Sequence, residues 1–286
     1  MHSHFSHTDS VTAFGLLFIA ALGTCWWLAR RNAASIGIHP SHIDLLLPLA
    51  ILGGIAGGWL LSLLTPGDRL LAGEELQVGV RLRLFGVVAS GAVVAFIYSR
   101  LNGQSFRSLL DTLALPTIVA LMIHRIGCFY AGCCWGDVSV HDGSLTSIAA
   151  TDLGQQVQTL PWLAGEWIKT SVQYAPGTMP YEQHLAIGLI SVDAPLSLPV
   201  HPVQIYESAL LLVLFLFLHR VPLEHSRPGM IAALTAISYA VIRFVTEYVR
   251  ADGALAMGNL TTTQLQCIVL MVITLFAASF MRPVRG

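Results

Sequence analysis

Residues 238–250 read SYAVIRFVTEYVR, a run apolar enough to lie in a membrane that nevertheless carries Tyr239, Arg243, Glu247 and Arg250. Their spacings of four, four and three align them on one face of a helix. An ionisable group in the hydrocarbon costs at least about 2.5 kcal/mol, so this stripe cannot face lipid. It must face the inside of a helix bundle. Two readings stand side by side: an Arg243–Glu247 pair that only ties helices together, or an anion site in which Arg243 faces a phosphate and Glu247 fixes its guanidinium.

The rest of the chain agrees with a bundle. Its 286 residues are 55% hydrophobic and 11% charged, against about 25% charged in soluble proteins. A spanning helix takes about 20 apolar residues, and seven segments qualify or come near: 11–29, 43–64, 85–101, 109–124, 203–219, 229–249 and 262–281. The expected fold is all-α, an integral membrane protein of about seven transmembrane helices. It forms a single membrane domain over 1–286, with 137–200 inserted as a small extracytoplasmic head. The segment 109–124 is the weakest, because Pro116 interrupts it and Asp111 stands near its start. Neighbouring helices can satisfy a carbonyl freed by proline. The glycines of LGGIAGGW, residues 52–59, suit close helix packing.

The start, MHSHFSHTDS, lacks the positive charge that precedes a signal peptide's apolar region, so the first segment is expected to be kept as a span. With the N-terminus outside, eight arginines (30, 31, 100, 107, 220, 227, 282 and 285) lie inside, on short flanks. The opposite side holds Arg69, Arg81, Arg83, Arg125, Lys169 and Arg250, spread over longer loops. This bias predicts an outside N-terminus and a cytoplasmic C-terminus. Fifteen basic against sixteen acidic residues give a net charge of −1, so nothing points to nucleic acid.

Two more polar clusters stand out. HPVQIYE, residues 201–207, opens the fifth apolar segment. Pro202 fits the first helical turn, where its missing N–H is not needed. His201, Gln204 and Glu207 then repeat every three residues down one side, and the buried pair needs partners that the sixth segment's arginines can supply. HRIGCFYAGCCWG, residues 124–136, follows the fourth apolar segment and sets Arg125 among Gly127, Gly132 and Gly136. Gly127 permits a tight turn or a close approach to a ligand, and an arginine beside exposed backbone N–H groups makes a phosphate clamp. The alternative is an interfacial arginine reaching for lipid headgroups.

Taken together, these stretches resemble the bacterial prolipoprotein diacylglyceryl transferases. The family signature runs approximately Gly-Arg-Ile-Gly-Asn-Phe-x-Asn-Gly-Glu-x-x-Gly, and Arg125, Gly127, Phe129, Gly132 and Gly136 match it. HPVQIYE resembles the family's His-Pro-x-Gln-Leu-Tyr-Glu, and YAVIRFVTEYVR its Tyr-x-x-x-Arg-Phe-x-x-Glu-Phe-x-Arg. There are also departures. Cys128, Ala131 and Cys133 replace two asparagines and a glutamate of the signature, Phe85 stands for a histidine of the third span, and Phe14 for a tyrosine of the first.

The resemblance implies phosphatidylglycerol-dependent transfer of a diacylglyceryl group to the cysteine thiol of a lipoprotein-precursor peptide, at the bacterial inner membrane, or a divergent glycerophospholipid transfer. It implies no cofactor. Arg125 and Arg243 would neutralise the phosphate, with Arg250 near the water boundary. Glu207 and Glu247 would orient the arginines, Tyr239 and Gln204 would bond the headgroup, and His201 would be the base, since an unperturbed histidine titrates near neutrality. Gly127 belongs with the substrate-binding positions. Cys25 and Cys267 read as small buried hydrophobes. Cys128, Cys133 and Cys134 admit four readings: a Cys128–Cys133 disulfide, a metal site shared with His124, a reactive thiolate beside Arg125, or simple filling of the volume left by Asn and Glu. The site is assigned no metal. The rival to a transferase is a membrane thiol-redox or metal-binding protein on the same scaffold.

Overall fold

The computed structural model describes residues 2–3, 7–64, 84–139, 171–223, 226–251, 255–257 and 260–280. The chain is mostly helical. The helices are α1 (His7–Ser35), α2 (Ser41–Leu64), α3 (Leu84–Leu101), α4 (Phe106–Ala131), α5 (Met179–Ala186), α6 (Val203–Leu218), α7 (Met230–Thr246) and α8 (Thr262–Ser279). Among the described residues, two small sheets pair β1 (His2–Ser3) with β2 (Gln173–Tyr174), and β3 (Leu255–Met257) with β4 (Leu260–Thr261), and five helices are long and apolar enough to cross a membrane: α1, α2, α4, α7 with the turn after it, and α8. The apolar α3 and α6 are shorter. Large apolar side chains point outward, among them Leu16, Ile19, Leu52, Val213, Phe217 and Phe276, each more than half exposed, while Gln204, Glu207 and Gln264 are buried. A surface apolar outside and polar inside suits a bilayer, since lipid accepts no hydrogen bonds.

Two compact units are distinguishable, one formed by Cys25–Pro116, His219–Leu234 and Ala277–Gly286, the other by Met1–Thr24, Thr117–Leu218 and Thr235–Phe276. In the first, α2 and α3 meet through glycine. A Cβ on Gly53 would come within 2.5 Å of Val94, and one on Gly86 within 2.7 Å of the Gly57 carbonyl. The glycines of 52–59 therefore do what the sequence predicts. Pro116 is accommodated inside α4: it cannot donate to the carbonyl of Thr112, and that oxygen instead accepts from Asn32 Nδ2 at 3.3 Å. Asp111 is explained in the same unit. Its carboxylate accepts the N–H groups of Gly229 (2.5 Å) and Ala232 (2.8 Å) at the start of α7, where a helix exposes unpaired donors and favours negative charge.

The second unit carries all three polar motifs. One expectation is corrected here: α4 does not stop near residue 124 but runs to Ala131, so Arg125, Gly127 and Cys128 are helical. Gly127 makes no turn. Its missing Cβ instead admits Phe14, which an added methyl would meet at 3.3 Å. The turn falls on Gly132, whose φ of 65° is left-handed. There Gly132 N–H bonds the carbonyl of Phe129 and Cys133 N–H reaches back to that of Cys128, the paired closure of a glycine-ended helix.

After that turn the chain runs as a short extended seam. Gly136 N–H bonds His201 O, His201 N–H bonds Asp137 O, Asp137 N–H bonds Val249 O, and Ser139 N–H bonds Pro199 O. The end of α4, the entry of α6 and the end of α7 are thereby stitched together. Within the predicted head, Val138 and Val172 both bridge to Val200, and Val172, Tyr174 and Val200 form a small core with Phe129, Trp135 and Val138. The patch QHLAIGLI lies on and just after α5. The patch LPWLAGEWI and the whole of 140–170 lie outside the described residues.

Candidate functional site

The buried polar residues of the second unit form a chain of alternating charge. Arg125 on α4 pairs through Nε with Glu207 Oε2 on α6. The other oxygen of Glu207 lies 3.5 Å from Arg243 Nη1 on α7, the same nitrogen that meets Glu247 Oε2 at 2.6 Å. Glu247 Oε2 in turn lies 3.9 Å from Arg250 Nε. Arg125, Glu207, Arg243 and Glu247 are all below 10% exposed. Glu207 is thus the partner of both Arg125 and Arg243, as its depth in α6 requires.

The face predicted from spacings of four, four and three survives a change of helix type. After Thr246 the backbone tightens into a 3₁₀ turn over Glu247–Val249, yet Arg243, Glu247 and Arg250 still meet. Tyr239 joins them one turn earlier, its buried hydroxyl facing Arg125 and close to Glu207 and Arg243. Three guanidinium groups face two carboxylates in a buried setting, so one guanidinium must be balanced by another anion, either the Cys134 thiol near Arg250 and Arg125 or a bound one.

The other predicted residues lie at the start of α6 and against the turn after α4. Gln204 Nε2 donates to the Cys133 carbonyl at 2.7 Å, and Arg250 Nη1 to the Cys134 carbonyl at 3.4 Å, so both polar helices grip the turn after α4. His201 is buried at the entry of α6 with its Nδ1 3.4 Å from the Tyr206 hydroxyl. Its position depends on Gly136, because a Cβ there would come within 2.6 Å of the His201 carbonyl and 2.7 Å of the His201 Cβ. Pro202 stands just before α6 and offers its carbonyl to Ile205 and Tyr206.

Burial pushes the Asp137 carboxyl up, against the bond it accepts from Val138 N–H, and pushes the Tyr174 hydroxyl up to about 12. The three thiols of the turn are free and have their sulfurs within 4.8 Å of one another. Hydrogen bonds from Cys128 and Cys133, with Arg250 and Arg125 nearby, hold the Cys134 thiol far below the usual thiol range. Its bonds to the other two, and burial, push Cys133 up.

Three residues of the site were not anticipated. Thr246 Oγ1 donates to Glu207 Oε1 at 2.9 Å, and Thr261 Oγ1 donates to Glu247 Oε1 at 2.9 Å. Gln264, 1% exposed, accepts the Thr261 N–H at 2.9 Å while donating its own backbone N–H to Thr261 Oγ1 at 3.2 Å. This reciprocal pair is a capping box. Its signal, TTTQ ahead of an apolar run, is present in residues 261–264.

The motif residues that meet around this charge chain come from segments far apart in sequence, and comparison with known proteins covers all of them. The family model described as "Prolipoprotein diacylglyceryl transferase" matches residues 4–280. Relatives named phosphatidylglycerol–prolipoprotein diacylglyceryl transferase include that of Azotobacter vinelandii, 30% identical over 89% of this chain and 84% of its own. That of Clostridium tetani is 22% identical over 93% and 91%, and that of Nitratidesulfovibrio vulgaris strain Hildenborough 26% identical over 92% and 87%. With the match running almost end to end through Arg125, Glu207, Arg243 and Glu247, the chain belongs to the prolipoprotein diacylglyceryl transferase family.

Proposed function

We propose that this protein moves a diacylglyceryl group from phosphatidylglycerol to the cysteine thiol of a lipoprotein-precursor peptide. The observation that carries the reading is the buried chain of three arginines and two glutamates, one guanidinium more than the carboxylates, where the family motifs converge. A lipid phosphate is an anion that a membrane interior can present to it. In this reading the precursor thiol, deprotonated by His201, attacks the terminal carbon of the lipid's glycerol. A sulfur–carbon bond forms, the carbon–oxygen bond to phosphate breaks, and the electron pair leaves with glycerol phosphate. Arg125 and Arg243 neutralise that developing charge, and Glu207 holds both guanidinium groups in place. Gln204 and Tyr239 bond the headgroup, Arg250 draws it in from the water boundary, and Gly127 keeps the helix wall close.

The protein works in the bacterial inner membrane as a single domain of seven spans, with its N-terminus outside, its C-terminus cytoplasmic and residues 137–200 as the extracytoplasmic head. The outward apolar faces of the helices and the arginine bias support that placement. The test is rescue of a strain depleted of its own diacylglyceryl transferase. Rescue by the native chain and loss of it in Arg125→Ala and Arg243→Ala is expected; failure to rescue, or rescue indifferent to both changes, overturns the assignment.

A further inference from the structure

Cys128, Cys133 and Cys134 are brought together by the way α4 ends, not by a familiar ligand spacing. In a glycine-ended helix the side chain two residues past the last helical position folds over the one three residues inside the end. Here those two positions are Cys133 and Cys128, and their backbones are joined by the Cys133 N–H···O=C Cys128 bond of 3.1 Å. Cys134 adopts a φ of 60°, which a non-glycine residue rarely takes. That conformation returns the third sulfur to the other two.

We propose that these three cysteines bind one thiophilic metal ion, Zn²⁺ or Cu⁺, at the edge of the bundle. Two sulfurs on a tetrahedral zinc with bonds of about 2.3 Å lie roughly 3.8 Å apart, so sulfurs already within 4.8 Å of one another need to close by no more than about 1 Å. Thiolates select these two ions over hard cations. Neighbouring groups favour the charged ligands. His124 Nε2 stands 3.5 Å from Cys128 Sγ. With its proton on Nε2 it donates to a Cys128 thiolate and leaves at Nδ1, which is buried without a partner, only a lone pair. Arg250, donating to the Cys134 carbonyl, and Arg125, one turn before Cys128, supply positive charge to offset three thiolates. Cys128 is 2% exposed, but Cys133 and Cys134 are only half-buried, which gives an ion a way in. The metal site does not rest on the transferase reading, although Arg125 and Arg250 border both.

The test uses the full-length protein in detergent carrying Cys25→Ser and Cys267→Ser, so that only the three thiols remain. After reduction it is offered Zn²⁺ or Cu⁺ in separate arms, and bound metal and reactive thiols are counted. One equivalent of either ion per chain, with all three thiols protected from an aromatic disulfide reagent, is the expected result, and the arm that gives it names the ion. Co²⁺ in place of Zn²⁺ should add a sulfur-to-metal absorption band in the near ultraviolet. Cys133→Ser should weaken binding at least tenfold. Thiols that stay equally reactive with both ions, or uptake unchanged by Cys133→Ser, overturn the proposal. So does a disulfide within the trio that reforms in air in the presence of the metal.

Discussion

Thr261, the capping residue of α8, donates its hydroxyl to Glu247 at 2.9 Å, so the carboxylate that holds Arg243 is itself held from another helix. The same oxygen accepts the Gln264 N–H. Thr261→Val keeps the shape but removes both bonds, one of them to a charged group, and should cost about 2 kcal/mol. Thr261→Ser should restore most of it. Thermal unfolding in detergent reads the stability. A tenfold or greater fall in glycerol phosphate release for the valine variant alone would show that the cap also positions Glu247.

Glu207 is the only carboxylate that meets both Arg125 and Arg243 among the described residues. Glu207→Gln raises the excess charge of the cluster from one to two, and leaving buried charges uncompensated costs about 3–5 kcal/mol. Loss of rescue together with a lowered unfolding temperature is expected. A variant as stable and active as the native chain would remove Glu207 from the site.

Gly136 leaves no room for a side chain beside His201. Gly136→Ala must push the entry of α6 outward, at about 1–3 kcal/mol. Because the displaced residue is His201, activity should fall by more than the loss of stability accounts for. Comparing turnover at a temperature where both proteins are fully folded checks this.

His184, buried on α5, accepts the Leu198 N–H at its Nδ1 (3.3 Å), and burial lowers its affinity for a proton. Its folded value lies below the roughly 6.5 of an unfolded histidine, so the unfolded segment binds more protons just below that pH. Stability is therefore full above about pH 6.5 and declines as pH falls toward the folded value. Amide exchange over residues 179–198, corrected for intrinsic rates, should be less protected at pH 5.5 than at pH 7.5. His184→Asn, which keeps an acceptor and cannot titrate, should flatten that difference.

How much of this was legible in the sequence follows from what each residue needs. Five of the seven apolar runs form helices long enough to span among the described residues, α6 starts just after Pro202, and the pairing of Glu207 with arginines was readable because buried charge must find a partner. The extent of α4 was misread because Gly127 and Gly132 look alike in sequence. Only packing assigns the first to a helix contact with Phe14 and the second to the left-handed turn. Thr246 and Thr261 escaped notice for a related reason. A neutral hydroxyl is cheap to bury anywhere, so nothing in its type says that a glutamate is waiting for it.

Val200 pairs with Val138 on one side and Val172 on the other. The two ends of the intervening stretch therefore leave the seam two strand spacings apart, about 10 Å. A segment joining those ends has only to bridge that gap, so its length and content can change without moving either exit from the seam.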